Sequence, residues 1–271
     1  LYSIGAIIAV IGVCVLIVQH WQEIGFFGRM LVTIGISLAT YIAALLFRDP
    51  ENRTLSQVLF TISAGLAPAG AYILLDQASI KFDWSAQIGT ALSLFVIYGV
   101  ALFVNRLSIL FLIAVAYATW AYYAVVMKLF SGNILYLIDY VQWSSIFLGV
   151  SYIFIAYGYQ TLWQSRDKKD ANEKEAVKNV LYGVGTLAIL GSAITMGGIF
   201  DLVIIALIFA AFYGSVYLKN HAMLLFGALF LTGHIVKLTS KYFVDSIGWP
   251  VVLIIVGFLI IGVGYATFYI N

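Results

Sequence analysis

The sequence predicts an all-α polytopic membrane protein with about ten transmembrane helices. Of its 271 residues, 63% are hydrophobic and only 10% are charged, whereas soluble domains are about half apolar and about a quarter charged. The apolar runs are continuous and lack the alternation of a membrane β-barrel strand, so helices are expected to satisfy the backbone in lipid. These observations exclude a cytosolic enzyme, a nucleic-acid-binding module and a disordered chain.

Ten apolar segments predict the individual helices. A spanning helix needs about 20 mostly apolar residues, and each segment meets or approaches that length. The segments are Leu1–Val18, Met30–Phe47, Val58–Leu75, Gln87–Val104, Leu107–Met127, Gln142–Trp163, Val180–Met196, Leu202–Leu218, Ala222–Leu238 and Val251–Ile270. Because residue 1 is leucine rather than methionine, we expect a further part upstream of it.

The basic residues predict how these helices are oriented. Nine lie in the loops after even-numbered helices, and five lie in or near the loops on the other side. Because basic residues accumulate in cytoplasmic loops, the even-numbered loops are expected in the cytoplasm. Ten helices then place both chain termini in the cytoplasm.

The segment Gln164–Asn179 is the only strongly polar stretch, and it carries nine of the 26 charged residues. Lys169 and Glu173 are four residues apart, as are Asp170 and Lys174, which allows ion pairs along a helix. We expect the sixth or seventh helix to continue past the membrane here. The segment is either a plain cytoplasmic linker or a docking surface for another protein.

The two ends of the chain resemble each other. Residues 1–5 resemble residues 181–185, and residues 97–100 resemble residues 260–263, so the offset falls from 180 to 163. Helices one to four are therefore expected to match helices seven to ten as a parallel repeat, with the site between the halves, as in many transporters. The predicted divisions are a first repeat (1–106), an inserted helical hairpin (107–163), a charged cytoplasmic linker (164–179) and a second repeat (180–271).

Three stretches resemble a known family. They are Ile4–Ile8 continuing through Gly12 to Gln19-His20-Trp21, Ala69–Gln77 followed by Trp84, and Gly248-Trp249-Pro250 leading into Gly257, Gly262 and Gly264. They look like the bacterial membrane proteins catalogued as domain of unknown function 2157, in which Asn usually stands at the position of His20. The resemblance implies a bacterial inner (cytoplasmic) membrane protein with a further cytoplasmic N-terminal region, and it implies no activity.

Charged side chains inside hydrocarbon are costly and are therefore candidates for function. His234, Lys237 and Lys241 follow one another at helical spacing, so they share one face near the outer end of the ninth helix. Such a basic stripe could hold an anionic headgroup or a substrate carboxylate. Alternatively, the lysines extend to the interface and His234 hydrogen-bonds a neighbouring helix.

Asp76 and Gln77 end the third helix on the same side of the membrane, and by the repeat they match the region of Lys241. A charge pair between Asp76 and Lys237 or Lys241 would be either a structural clasp or the floor of a pocket. The predicted ligand-binding residues are Asp76, Gln77, His234, Lys237 and Lys241.

Three other residues have simpler explanations. Asp201 and Asp139 are expected to cap helices, because a carboxylate complements the dipole at a helix N-terminus; Asp201 could instead be a proton-carrying acid. Pro68 lies between Gly65 and Gly70, where it could kink the third helix and free carbonyl groups or serve packing alone.

The leading hypothesis is a non-enzymatic, transporter-like membrane protein that binds a small anionic solute or a lipid headgroup between its repeats. No catalytic residue, metal site or cofactor is predicted, because the sequence lacks nucleophile, phosphate-loop, nucleotide and metal motifs. The expected partner is membrane lipid, with a possible protein partner at 164–179 and no nucleic acid. The alternatives are a structural or signalling subunit of a membrane complex, and a membrane enzyme acting on a lipid-linked substrate with His234 or Asp76 as base.

Overall fold

A computed structural model describes most of the chain. The described residues are 19–47 without 22, 52–162 without 106 and 133, 168–242, and five isolated positions between 254 and 262. They are mostly helical and contain no strand, which confirms the predicted all-α class. The first and tenth predicted helices, Leu1–Val18 and Val251–Ile270, lie outside the described residues apart from those isolated positions.

Eight long helices make up most of the described part, and each overlaps one of the apolar segments numbered two to nine above. We label them α1 to α8. They are α1 (Phe26–Leu46, with a π-helical turn at Leu31–Gly35), α2 (Arg53–Gln77), α3 (Trp84–Asn105), α4 (Ser108–Phe130), α5 (Ile134–Leu162), α6 (Lys168–Met196), α7 (Phe200–Leu218) and α8 (His221–Tyr242).

The surface of these helices suits lipid rather than water. All eight contain a stretch long and apolar enough to cross a membrane. Large apolar side chains point outward along them; Phe27 is 84% exposed and Phe103 is 83% exposed. Exposed apolar surface on this scale is not tolerated by a soluble monomer. The chain is therefore a multi-pass membrane protein, whereas ten helices and a parallel repeat stay predictions.

The chain divides into two compact units, residues 1–128 and 129–271. The two helices of the predicted hairpin (107–163) fall in different units.

In the first unit the core contains Phe60, Leu94, Tyr98, Leu110 and Tyr117. Polar side chains join its helices: the Ser63 hydroxyl on α2 lies 2.7 Å from the Tyr98 hydroxyl on α3 and donates to the Ser37 carbonyl on α1 at 2.8 Å. Such bonds replace the hydrophobic driving force that helices in lipid lack.

Pro68 does not break α2, which runs through it without interruption. Proline has no N–H to donate to the carbonyl four residues earlier, which belongs to Ala64. The Tyr117 hydroxyl on α4 donates to that carbonyl at 2.6 Å. A side chain from a neighbouring helix thus supplies the missing bond, which is how a buried proline is tolerated within a membrane helix.

In the second unit, α5 and α6 approach most closely at two glycines. A Cβ atom on Gly149 would lie 2.6 Å from the Gly185 carbonyl oxygen, and one on Gly185 would lie 2.8 Å from the Gly149 carbonyl oxygen. Only glycine permits this backbone contact.

The ends of α5 and α6 show that one prediction was wrong and another right. Asp139 was expected to cap a helix but lies inside α5, beyond its first turn. In contrast, α6 begins at Lys168, so the seventh predicted helix does continue into the charged segment.

Candidate functional site

A partly buried charge pair joins α7 and α8 in the second unit. The Lys237 ammonium nitrogen lies 2.8 Å from Asp201 Oδ1, and the side chains are 32% and 8% exposed, respectively. Lys237 also donates to the Ile194 carbonyl oxygen on α6 at 2.6 Å. Three helices therefore meet at one cation, within the apolar lengths that span the membrane.

The turn between α6 and α7 positions the two groups that Lys237 contacts. Gly197 and Gly198 both adopt a left-handed conformation, with φ of 68° and 61°, which costs glycine little. This reversal ends α6 at Met196 and starts α7 at Phe200. The Ile194 carbonyl lies in the last turn of α6, where carbonyls have no partner within the helix. Lys237 thus neutralises both the negative end of the α6 dipole and the Asp201 carboxylate.

His234 lies one helical turn before Lys237 and is 1% exposed. Its Nε2 atom is 2.9 Å from the Asp201 backbone carbonyl oxygen. Because a carbonyl oxygen can only accept, Nε2 must carry the proton. The other ring nitrogen, Nδ1, is buried and has no hydrogen-bond partner among the described residues. In neutral His234 this nitrogen is an unused acceptor beside the charge pair.

The structure brings together two of the five predicted residues, His234 and Lys237, and adds Asp201. As expected, Asp201 lies in the first turn of α7, where a carboxylate complements the helix dipole, and its carboxylate also binds Lys237. The alternative in which His234 bonds a neighbouring helix is confirmed. Lys237, by contrast, turns toward α6 and α7 rather than simply extending to the interface. The side chain of Lys241 lies outside the described residues.

Sequence reasoning could have found Asp201. The eighth and ninth predicted helices are consecutive and antiparallel, so the start of one lies beside the end of the other. Asp201 is near that start and Lys237 is near that end. A lysine within a membrane helix needs an opposite charge, and a carboxylate at this position of the adjacent helix was a direct candidate.

Asp76 and Gln77 lie in the first unit, exposed in the last turn of α2. Together with Trp21, Arg29 and Tyr72 they line a groove of about 400 Å³, which is within the size range of small-molecule sites. We call it the Arg29–Asp76 groove. Asp76 and Gln77 therefore belong to the first unit, whereas His234 and Lys237 belong to the second.

No group of three His, Cys, Asp or Glu side chains that could hold a metal ion occurs among the residues that the structure describes. Comparisons with family models, with curated proteins and with solved structures found no match to this chain.

Proposed function

We propose that this is a bacterial inner-membrane, transporter-like protein that binds a small anionic solute or a lipid headgroup at Lys237. The observation that supports the proposal is the partly buried pair of Lys237 and Asp201 within membrane-spanning helices. Ionisable side chains within membrane helices most often mark a ligand or ion pathway. Similarity to the family named above supports the inner-membrane location, and membership of that family is itself part of the proposal.

The chemistry of Lys237 fits an anion. An ammonium group has three N–H donors, and two of them bind the Ile194 carbonyl and the Asp201 carboxylate. The side chain is about one-third exposed, and we expect an entering anion to bind the remaining donor. As the anion binds, it competes with Asp201 for the same positive charge.

Thermal unfolding of the purified protein in detergent tests this proposal. The probes are acetate, succinate, inorganic phosphate and glycerol 3-phosphate, which sample small solutes and the polar part of a lipid headgroup. We expect at least one of them to raise the unfolding temperature of the wild type and of Lys237→Arg, which keeps the charge. The same probe should leave Lys237→Met unchanged relative to its own baseline.

Lys219→Asn is the matched control, because Lys219 is an exposed lysine at the other end of α7 and asparagine tolerates its left-handed backbone. This variant should respond to the probe as the wild type does. The proposal is contradicted when none of the four anions stabilises the wild type, or when Lys237→Met retains the response.

A second candidate function is that of a structural or signalling subunit, and the start of α6 favours it. The apolar span of this helix begins at Glu173, whereas the helix itself begins at Lys168. A charged helical extension of this kind could bind a protein partner. Replacing residues 166–170 with a Gly/Ser sequence of equal length should then abolish co-purification of a partner while leaving the anion response intact.

A further inference from the structure

The Arg29–Asp76 groove carries opposite charges on its two walls. Trp21 and Arg29 form one wall, and Tyr72, Asp76 and Gln77 form the other. The groove lies at one end of the helices α1 and α2, beside the first turn of α1 and the last turns of α2 and at the end of their apolar lengths. A charged groove in this position borders the level of the lipid headgroups.

The cation is held in place by its own wall. Arg29 Nε donates to the Trp21 carbonyl oxygen at 3.0 Å and to the Ile24 carbonyl oxygen at 2.9 Å. Its guanidinium carbon is also 5.6 Å from the centre of the Trp21 ring, within the range of a cation–π contact. A guanidinium fixed in this way matches the geometry of a phosphate group.

The anion on the opposite wall is in an unfavourable position. Asp76 lies in the last turn of α2, where the helix dipole is negative and repels a carboxylate. Its carboxylate has no hydrogen-bond or ion-pair partner among the described residues. A ligand that brings a positive, hydrogen-bonding group to Asp76 would relieve this repulsion.

We infer that the groove binds the phosphoethanolamine group of a membrane phospholipid, with the phosphate at Arg29 and the primary ammonium at Asp76. Apolar side chains beside the groove favour a lipid over a free phosphoethanolamine. Ile24, Phe26, Ala69 and Ile73 line the groove together with its charged groups, and they offer acyl chains an apolar surface. The inference does not rest on the function proposed for Lys237, because the residues concerned are in the other unit.

Native mass spectrometry of the detergent-purified protein tests the inference. The protein is titrated with dioleoyl phosphatidylethanolamine, dioleoyl phosphatidylglycerol, dioleoyl phosphatidylcholine and soluble O-phosphoethanolamine. We expect the first bound molecule of phosphatidylethanolamine to have about tenfold higher affinity than the first bound molecule of either other lipid. A difference of this size corresponds to one charge-assisted hydrogen bond. Asp76→Asn should remove that preference, and Asp76→Glu should retain it.

Two further variants separate the groups involved. Arg29→Gln should weaken phosphatidylethanolamine and phosphatidylglycerol equally, because both carry a phosphate, whereas Arg29→Lys should retain most of the binding. Asp139→Asn, an exposed acid of the other unit, should change nothing.

The inference is overturned by equal affinity of the wild type for phosphatidylethanolamine and phosphatidylglycerol, or by an unchanged preference in Asp76→Asn. Soluble O-phosphoethanolamine binding as tightly as the lipid would overturn the lipid as the source. None of these outcomes depends on whether an anion binds Lys237.

Discussion

At the scale of single residues, every unpaired polar group within a membrane helix is energetically unfavourable. Pro68 frees the Ala64 carbonyl, and Tyr117 binds it. Lys237 brings a charge into the span, and Asp201 together with the Ile194 carbonyl neutralises it. In both cases the partner comes from another helix, so each polar group also specifies how helices pack.

Tyr117→Phe should destabilise the protein by about 0.5–1.5 kcal/mol, the usual net value of one hydrogen bond. The phenyl ring keeps its packing, but the Ala64 carbonyl loses its donor. In a Pro68→Ala background, residue 68 regains an N–H for that carbonyl, so the same substitution should cost much less. A double-mutant cycle of unfolding in mixed detergent micelles measures the difference. Equal costs in the two backgrounds would show that Tyr117 does not compensate for the proline.

How much of the site could be predicted differed from residue to residue. The spacing of His234 and Lys237 on one helix was sufficient to place them on the same face. Their partner could not be recognised from local pattern, because an aspartate in the first turn of a helix is also the usual capping residue. Only the antiparallel arrangement of two consecutive helices distinguishes pairing from capping. Local sequence therefore identified the cation but not its anion.

At the scale of helices, the apolar length alone predicted most of the described elements. Each of the predicted segments two to nine overlaps a helix, and α7 ends at the predicted Leu218. The starts were less accurate: α5 begins at Ile134, eight residues before the predicted start, and α6 begins at Lys168. A helix can continue through polar and charged residues beyond the hydrocarbon. Hydropathy therefore predicts the length that crosses the membrane and not the residues at which the helix begins and ends.

The crossing of α5 and α6 provides a test at this scale. Gly149→Ala should destabilise the protein by about 1–3 kcal/mol, as overpacking does elsewhere, because the new Cβ would meet the Gly185 carbonyl oxygen at 2.6 Å. Gly158→Ala is the matched control on the same helix, since a Cβ there would have no atom within 4 Å. Detergent unfolding measures both. A cost for Gly158→Ala that equals the cost for Gly149→Ala would refute the close contact.

At the scale of the whole molecule, the chain is a multi-pass membrane protein with two compact units. Its orientation stays a prediction from the distribution of basic residues, which the positive-inside rule relates to topology. We expect the loop between α2 and α3 outside the cytoplasm and the loop between α7 and α8 inside it. The family resemblance concerns the whole molecule as well, and the bacterial inner-membrane location that it implies stays a prediction.

Labelling of single cysteines in intact cells tests this orientation. In a Cys14→Ser background, a membrane-impermeant maleimide should label Lys81→Cys, in the loop between α2 and α3. It should label His221→Cys, at the start of α8, only after lysis; both native side chains are exposed. The opposite pattern would invert the topology and place the Lys237 cluster near the cytoplasmic face.

In the proposed site an anion and Asp201 compete for Lys237, and the substitution Asp201→Asn distinguishes this competition from a structural role. The decisive measurement is the dissociation constant, by isothermal calorimetry, of the anion that most stabilises the wild type. Removing the competing carboxylate should tighten binding about tenfold, equivalent to about 1.4 kcal/mol, whereas Lys237→Met should abolish it. If Asp201→Asn instead weakens binding as Lys237→Met does, the two residues act as a structural clasp and the proposed site is wrong.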